Sequence, residues 1–326
     1  MKRLTLIAAA LAVGLGAAPA LSKEKVTFAY LLDPSLEGVL YAIKNGIVKS
    51  DQIEIEATAM AIPALIQSTP TKRFDVIMNA VMAIPLAKRR GLDLVVLSTA
   101  LRAPHGSTGA GLWVKKDSPY KTVADLKGKT IGNYALRSTG TTWIRIALWK
   151  AHNVNVAYEG GDFRWVQIPA PALLTALEAG RVDAATLIHA QAFTAEKSGN
   201  YRSLAWTNAD IEKLFGVNAV AAVNVTYPEK LKARPEAFRE FNRMLYESAK
   251  YARDNPDEVG KAISKTAKIS PEFFKAWLTN FSEYPAVVTD GDMKSMEVVW
   301  QNAKEMGILK TYPMAKDVVW EHALRK

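Results

Sequence analysis

From Lys25 onward, short apolar or alternating runs take turns with segments whose apolar residues recur at helical spacing. Val26–Tyr30, Ile53–Thr58, Asp75–Asn79, Leu94–Thr99, Gly111–Lys115, Thr130–Gly132, Phe163–Gln167, Ala184–Ile188 and Ala219–Asn224 have the length and composition of strands. Between them, Val39–Ile43, Ala83–Lys88, Ile144–Trp149 and Leu173–Leu177 space their apolar residues as a helix with one buried face does. This alternation predicts an α/β protein with largely parallel sheets. After Pro228 the strands stop. Pro235–Asn255, Asp257–Lys268, Pro271–Phe281 and Asp290–Glu305 read as consecutive helices, several entered through Pro, Asp or Ser, residues suited to a first helical turn.

A weak internal echo links two parts of the chain. Ala64-Leu65-Ile66 leads through Lys72-Arg73 to Phe74-Asp75-Val76, and Leu173–Leu177 leads through Gly180-Arg181 to Val182-Asp183-Ala184. In both, an apolar helix is followed by a basic turn, an Asp, and a strand ending in small residues. The two aspartates are 108 residues apart (183 minus 75), a spacing that suits two lobes of similar build.

The N-terminus reads as an export signal. Lys2 and Arg3 form a short positive stretch, Leu4 to Leu15 is apolar or small, and Ala18-Pro19-Ala20 or Ala20-Leu21-Ser22 offers small residues for cleavage. The apolar stretch is too short to span a bilayer, and a single Lys-Arg pair is not a twin arginine, so the general secretory route is expected. Cleavage would leave Leu21 or Lys23 first. An N-terminal helix or membrane anchor is the alternative, and the charged, strand-like sequence from Lys23 argues against it. No cysteine lies near for a lipid, so the mature chain is expected to be soluble in the periplasm.

Composition narrows the chemistry. The chain has no cysteine, which removes thiol nucleophiles, thiolate metal sites and disulfides together. It must be held by its core, and about 300 residues suffice for two lobes. The formal charge is +10, or +8 once Lys2 and Arg3 are subtracted. Its Lys and Arg residues are spread out, and the densest run, Lys88-Arg89-Arg90, falls at a predicted helix end where the dipole favours cations. Nucleic-acid binding is therefore not expected. The residues before Gly128-Lys129-Thr130 lack the leading Gly of a phosphate loop. There is no His-Glu-x-x-His and no Gly-x-Ser-x-Gly, and four histidines are too scattered for a metal cluster. Binding without catalysis, cofactor or metal is expected.

Thr122-Val123-Ala124-Asp125-Leu126-Lys127-Gly128-Lys129-Thr130-Ile131-Gly132 is followed by Ser138-Thr139-Gly140 opening a helix, then by Ala176-Leu177-Glu178-Ala179-Gly180-Arg181-Val182-Asp183-Ala184. In this order and spacing, the chain resembles the nitrate/sulfonate/taurine branch of periplasmic ABC-transporter binding proteins. That group also includes thiamine-pyrimidine binding proteins. The resemblance implies a type II periplasmic-binding-protein fold: two lobes, each a mixed sheet flanked by helices, two crossing segments, and a helical C-terminal tail. Residues 1–22 would be the signal peptide, residues 23–101 and 226–326 the first lobe, and residues 102–225 the crossings and second lobe. The crossings would lie near Leu101–Gly111, with its His105-Gly106-Ser107-Thr108-Gly109, and near Val217–Val225. A monomer that traps ligand by hinge closure is implied, with a membrane permease and its cytoplasmic ATPase as partners. Some relatives make the thiamine pyrimidine with a cysteine-rich motif, which a chain without cysteine cannot carry.

Ligands of open α/β sheets sit beyond the carboxyl ends of the strands. That rule selects Tyr30–Pro34, Ala59–Ala64, Asn79–Met82, Asn133–Thr142 and Ile188–Gln191. Arg137-Ser138-Thr139-Gly140-Thr141-Thr142 stands out: hydroxyls and a Gly open a helix whose first N–H groups lack internal partners, a setting that favours an anion. Arg137 would add a bidentate contact. An ordinary helix cap with a solvated Arg is the other reading. His189, Asn79 and Tyr30 end strands and join the candidate set; a structural role is open for each, and Trp165 is a further aromatic able to stack. Relatives often carry Trp, an acid and Pro where this chain has Ile188, His189 and Ala190, and a Gly-Ser-like turn where it has Asn79-Ala80-Val81. The leading expectation is a small organic anion, sulfonate- or carboxylate-like. A neutral or cationic heteroaromatic such as a thiamine-pyrimidine precursor is the alternative, and a periplasmic enzyme on the same fold the rival from another class.

Overall fold

The computed structural model describes residues 23–267 and 269–325; the leader expected over residues 1–22 lies outside the described residues. The first sheet contains β1 (Glu24–Leu31), β2 (Ile53–Met60), β3 (Val76–Ala80), β4 (Val95–Arg102) and β10 (Val220–Thr226) in the order β2-β1-β3-β10-β4. The second contains β5 (Ala110–Lys115), β6 (Thr130–Asn133), β7 (Arg164–Gln167), β8 (Ala184–Ile188) and β9 (Tyr201–Trp206) in the order β7-β6-β8-β5-β9. Parallel pairs join β1 to β2 and β3, and β6 to β7 and β8. β10 runs antiparallel between β3 and β4, as β5 does between β8 and β9. In each sheet four strands share a direction and one is reversed: the strand that enters from the other sheet. The expected mixed-sheet α/β fold is what forms.

Central strands are buried on both faces, as parallel pairing under helices requires. In β1, Val26, Phe28 and Tyr30 fill one face and Ala29 the other. β9 escapes the hydrophobic pattern because it is an edge strand, half-exposed along most of its length, with Arg202 and Ser203 in its middle.

The internal echo has a structural counterpart. Asp75 Oδ2 accepts the backbone N–H and the hydroxyl of Thr27, each at 2.9 Å, and so fixes the entry to β3 against β1. Asp183 Oδ2 accepts the Thr130 N–H at 2.8 Å and fixes β8 against β6 in the same way. The turn before each adopts the left-handed conformation, at Lys72 (φ 55) and Gly180 (φ 68).

Helices α1 (Pro34–Val39), α2 (Tyr41–Lys44), α3 (Ile62–Ser68) and α4 (Ala83–Lys88) belong to the first sheet's connections. α5 (Thr139–His152), α6 (Ala170–Glu178), α7 (His189–Ser198) and α8 (Thr207–Phe215) follow strands of the second. Beyond β10 come α9 (Pro228–Ala233), α10 (Pro235–Asp254), α11 (Pro256–Ala267), α12 (Pro271–Ala276) and α13 (Asp290–Glu305). The single helix expected over Pro271–Phe281 is α12 followed by a π turn, Trp277–Phe281, closed by the Ser282 N–H to the Trp277 carbonyl at 3.2 Å. Among the described residues no helix is long and apolar enough to cross a membrane.

The two sheets share a core. Trp143, Ile146 and Ala147 of α5 and Ile211 of α8 pack into the cluster built on the first sheet. The Trp143 indole donates to the Val220 carbonyl at 2.8 Å. The chain leaves β4 at Arg102, whose guanidinium pairs with Glu283 at 2.6 Å and Asp292 at 2.8 Å. It returns directly into β10, which takes up most of the segment expected as the second crossing. Buried Asn208 ties both passages: its amide donates to Pro104 O and accepts the Ala219 N–H, each at 3.0 Å.

Candidate functional site

Four strand ends face one another where the sheets meet: those of β1, β3, β6 and β8. The first turn of α5 is organised by its own hydroxyls. Ser138, in extended backbone, caps the helix, its Oγ accepting the Thr141 N–H at 3.1 Å. The Thr142 hydroxyl donates to the Ser138 carbonyl at 3.0 Å. The Thr141 hydroxyl lies 2.9 Å from Asn133 Oδ1 and 2.8 Å from the Ala135 carbonyl. Thr139 reaches across to the first sheet, its Oγ1 accepting the Met82 N–H at 3.1 Å. A Cβ at Gly140 would run into the Tyr134 hydroxyl, so any side chain there requires that ring to shift. Burial pushes the Tyr134 phenol up in pKa, opposed by contact with Ser138 and Thr141; it stays neutral. Arg137 is exposed. The hydroxyls expected to grip an anion are thus engaged within the protein.

A second group forms at the end of β8. His189 opens α7 with φ 44, a left-handed conformation unusual for a side chain of its size, and its N–H is held by the Gly109 carbonyl at 2.8 Å. Its Nδ1 accepts the Trp277 indole N–H at 3.4 Å and faces Asp33 Oδ2 at 3.8 Å. The rings of His189 and Trp277 meet edge to face, centroids 6.1 Å apart. Asp33 Oδ1 accepts the Ser35 N–H at 2.8 Å and caps α1. Burial pushes the Asp33 carboxyl up, but His189 and the Ser35 N–H outweigh it and hold the carboxyl below its usual value. The side chains of Asp33 and His189 retain 28% and 24% exposure, whereas Trp277 is buried. The first two can touch a ligand; Trp277 positions His189. Strained backbone and π turns gather at functional positions, and here one of each meets an ionised carboxylate.

Asn79 and Tyr30 each bond to other protein groups. The Asn79 amide is buried against the Thr69 hydroxyl at 3.0 Å. The Tyr30 hydroxyl joins Glu37 at 2.5 Å and Lys44 at 2.9 Å beside α1. Asp33, Met82 and Trp277 were not singled out from sequence. Asp33 lies inside the strand-end window Tyr30–Pro34 and Met82 closes the window Asn79–Met82, but nothing in the sequence marks either side chain. Trp277 comes from the helical C-terminal region, with nothing local to mark it.

A family model described as NMT1/THI5 like matches residues 29–259, well over half the chain, and takes in Asp33, the α5 turn and His189. The chain belongs to the NMT1/THI5-like family. No curated protein matches this member. Among solved structures it is similar to the periplasmic aliphatic sulphonate binding protein SsuA from Escherichia coli, with a TM-score of 0.74 at 16% identity over 93% of this chain and 99% of that one. It is also similar to the alkanesulfonate-binding protein SsuA from Xanthomonas axonopodis pv. citri bound to MOPS (TM-score 0.70, 17% identity, 95% and 100% coverage). The ligand binding component of an ABC-type import system from Staphylococcus aureus follows (TM-score 0.67, 14% identity, 93% and 100% coverage). At these identities the likeness is one of fold, and this NMT1/THI5-like chain has the type II periplasmic-binding-protein fold.

Proposed function

We propose that this protein, freed of residues 1–22, is the periplasmic solute-binding component of an ABC importer. In this reading residues 23–101 and 226–326 form one lobe, residues 102–225 hold the crossings and the other, and the lobes close over a small molecule. The loaded protein, a monomer, then docks on a membrane permease served by a cytoplasmic ATPase. It binds without covalent chemistry. The ligand is a neutral or cationic heteroaromatic compound, and the observation that carries this is the ionised Asp33 facing His189 between the sheets. A fixed negative charge there repels a sulfonate or carboxylate and attracts ring N–H donors.

The organic-anion reading has its own support, in the hydroxyl-rich start of α5 at residues 138–142 and in two structural relatives named for sulfonate binding. Arg137 would then supply the charge, with His189 as a further contact and Asn79 and Tyr30 behind the site. One experiment separates the two. The mature protein is purified from the periplasm, and whatever is bound is identified by mass spectrometry and titrated back. An amino-substituted ring compound supports the proposal. A sulfonate held with undiminished affinity by Asp33→Asn overturns it, and turnover of the bound compound would replace binding by catalysis.

A further inference from the structure

Helix α7 is packed from two sides. Ala192 and Ala195 belong to a core cluster of the second sheet, whereas Ala190 and Phe193 rest on the core built on the first. At helical spacing these are different faces of one short helix. The face turned to the first sheet meets a row of aromatic rings. Phe193 stands edge to face with Phe273 and with Phe281, ring centroids 5.7 and 6.1 Å apart. Trp277, between those two in the chain, donates its indole N–H to His189.

Phe273, Trp277 and Phe281 are spaced by four residues, and the π turn keeps them in line. In an α-helix a step of four overshoots a full turn by about 40°, so a third residue would drift off the face. Across a π turn, whose bonds run from residue i to i+5, a step of four falls short of a full turn. The overshoot from Phe273 to Trp277 is offset by the shortfall from Trp277 to Phe281, and Phe193 touches both phenylalanines. Phe274 and Leu278 are buried in the first sheet's core and anchor the row there. Each half of the contact is thus fixed to a different sheet.

We propose that Phe193 and the row Phe273, Trp277 and Phe281 form a latch between the lobes, joined when the cleft is shut and parted when it opens. This rests on the two-lobe reading and adds what sets the balance between its open and shut states. Ser107, in the first passage between the sheets, donates to the Phe281 carbonyl at 2.9 Å, so that end of the row stays beside the pivot. Phe273 lies about two turns away, where opening separates the lobes further. Parting exposes the Phe193 and Phe273 rings to water, which the hydrophobic effect opposes. A ligand held by both lobes then meets a protein already biased towards the shut state, and Phe193 raises affinity without touching the ligand.

The test needs no ligand. The chain has no cysteine, so Arg90→Cys in the β3–β4 connection and Lys121→Cys in the β5–β6 connection, both at exposed positions, take one spin label each. Pulsed electron paramagnetic resonance on the mature protein then reads the distance between them. The wild type should give one dominant, short distance. Phe193→Ala should raise the ratio of long to short distances about tenfold. Phe193→Leu and Phe273→Leu, which keep apolar side chains, should act in the same direction by smaller factors and decide the matter if the alanine variant fails to fold; thermal melts on the same samples check folding. If the Phe193 and Phe273 variants keep the wild-type distances while Thr139→Val lengthens them, the lobes move and the latch is wrong. If none of these variants lengthens the distance, the two sheets form one rigid body and the two-lobe reading fails with it.

Discussion

The Met82 N–H, just beyond the end of β3, donates to the Thr139 hydroxyl at the start of α5, 3.1 Å away across the junction of the two sheets. Both residues are buried. Thr139 therefore works as a bridge between the sheets. Thr139→Val keeps the shape and removes the acceptor, leaving a buried N–H unpaired at a cost of about 1–3 kcal/mol. Denaturant titration should register that loss, and small-angle scattering should show a larger radius of gyration. Thr139→Ser should restore both. A valine variant as stable and compact as the wild type would remove the bridge from the account.

Gly140 gives a case where the usual sign of a substitution reverses. Gly to Ala in a helix normally stabilises by about 0.8–1 kcal/mol. Here the new Cβ meets the Tyr134 hydroxyl, and overpacking of that kind costs about 1–3 kcal/mol. Gly140→Ala should lower the melting temperature, and adding Tyr134→Phe, which deletes the colliding oxygen, should recover most of the loss. If Gly140→Ala alone stabilises, the phenol does not sit over the helix start.

Asp75 predicts part of the acid response. Burial pushes its carboxyl up, but the Thr27 N–H, Lys230 and the Thr27 hydroxyl prevail and hold it below the ordinary 3.8. Such a group adds stability that is fully present above its unfolded value and disappears as pH falls through the lower folded one. Between about pH 5 and the acid limit the wild type should lose stability partly through this residue. Asp75→Asn should be less stable at pH 7, and its stability should fall less steeply below pH 4 in matched denaturant titrations. Parallel pH curves for the two proteins would dismiss Asp75 as a contributor.

What could be read beforehand followed from how local the determining physics is. Asp75 and Asp183 announced themselves because each pins its own strand through a short, repeated pattern of helix, basic turn and strand. Ser138 was legible as a cap for the same reason. The engagement of its neighbours was not, since Tyr134 folds back over Gly140 and Thr139 reaches Met82 only once the sheets are assembled. Asn79 and Tyr30 sit at strand ends, as the topological rule asks, yet their side chains turn to Thr69 and to Glu37 and Lys44. A strand-end position tells where the backbone stops and leaves the direction of the side chain to packing. Trp277 reaches His189 from 88 residues away through a π turn, and no local pattern encodes such a meeting.

His189 sets stability against binding. Its left-handed backbone, φ 44, costs a His of the order of 1–3 kcal/mol if strained, whereas Asn tolerates that region more readily. Replacing the ring also removes the acceptor for Trp277, but Trp277 keeps its apolar packing in the core, so the loss should be about one hydrogen bond, roughly 0.5–1.5 kcal/mol. The two effects oppose each other, and His189→Asn should leave the melting temperature close to that of the wild type. Affinity for the co-purifying ligand should nevertheless fall at least tenfold, because the imidazole that faces Asp33 is gone. Trp277→Phe tests the same geometry from behind: the His189 ring loses its anchor, and affinity should fall by a smaller factor although Trp277 itself is buried away from the cleft. Calorimetric titration and thermal melts on the same samples decide the matter. A His189→Asn protein that melts much earlier but binds as tightly as before would make His189 a core residue and return the site to the start of α5.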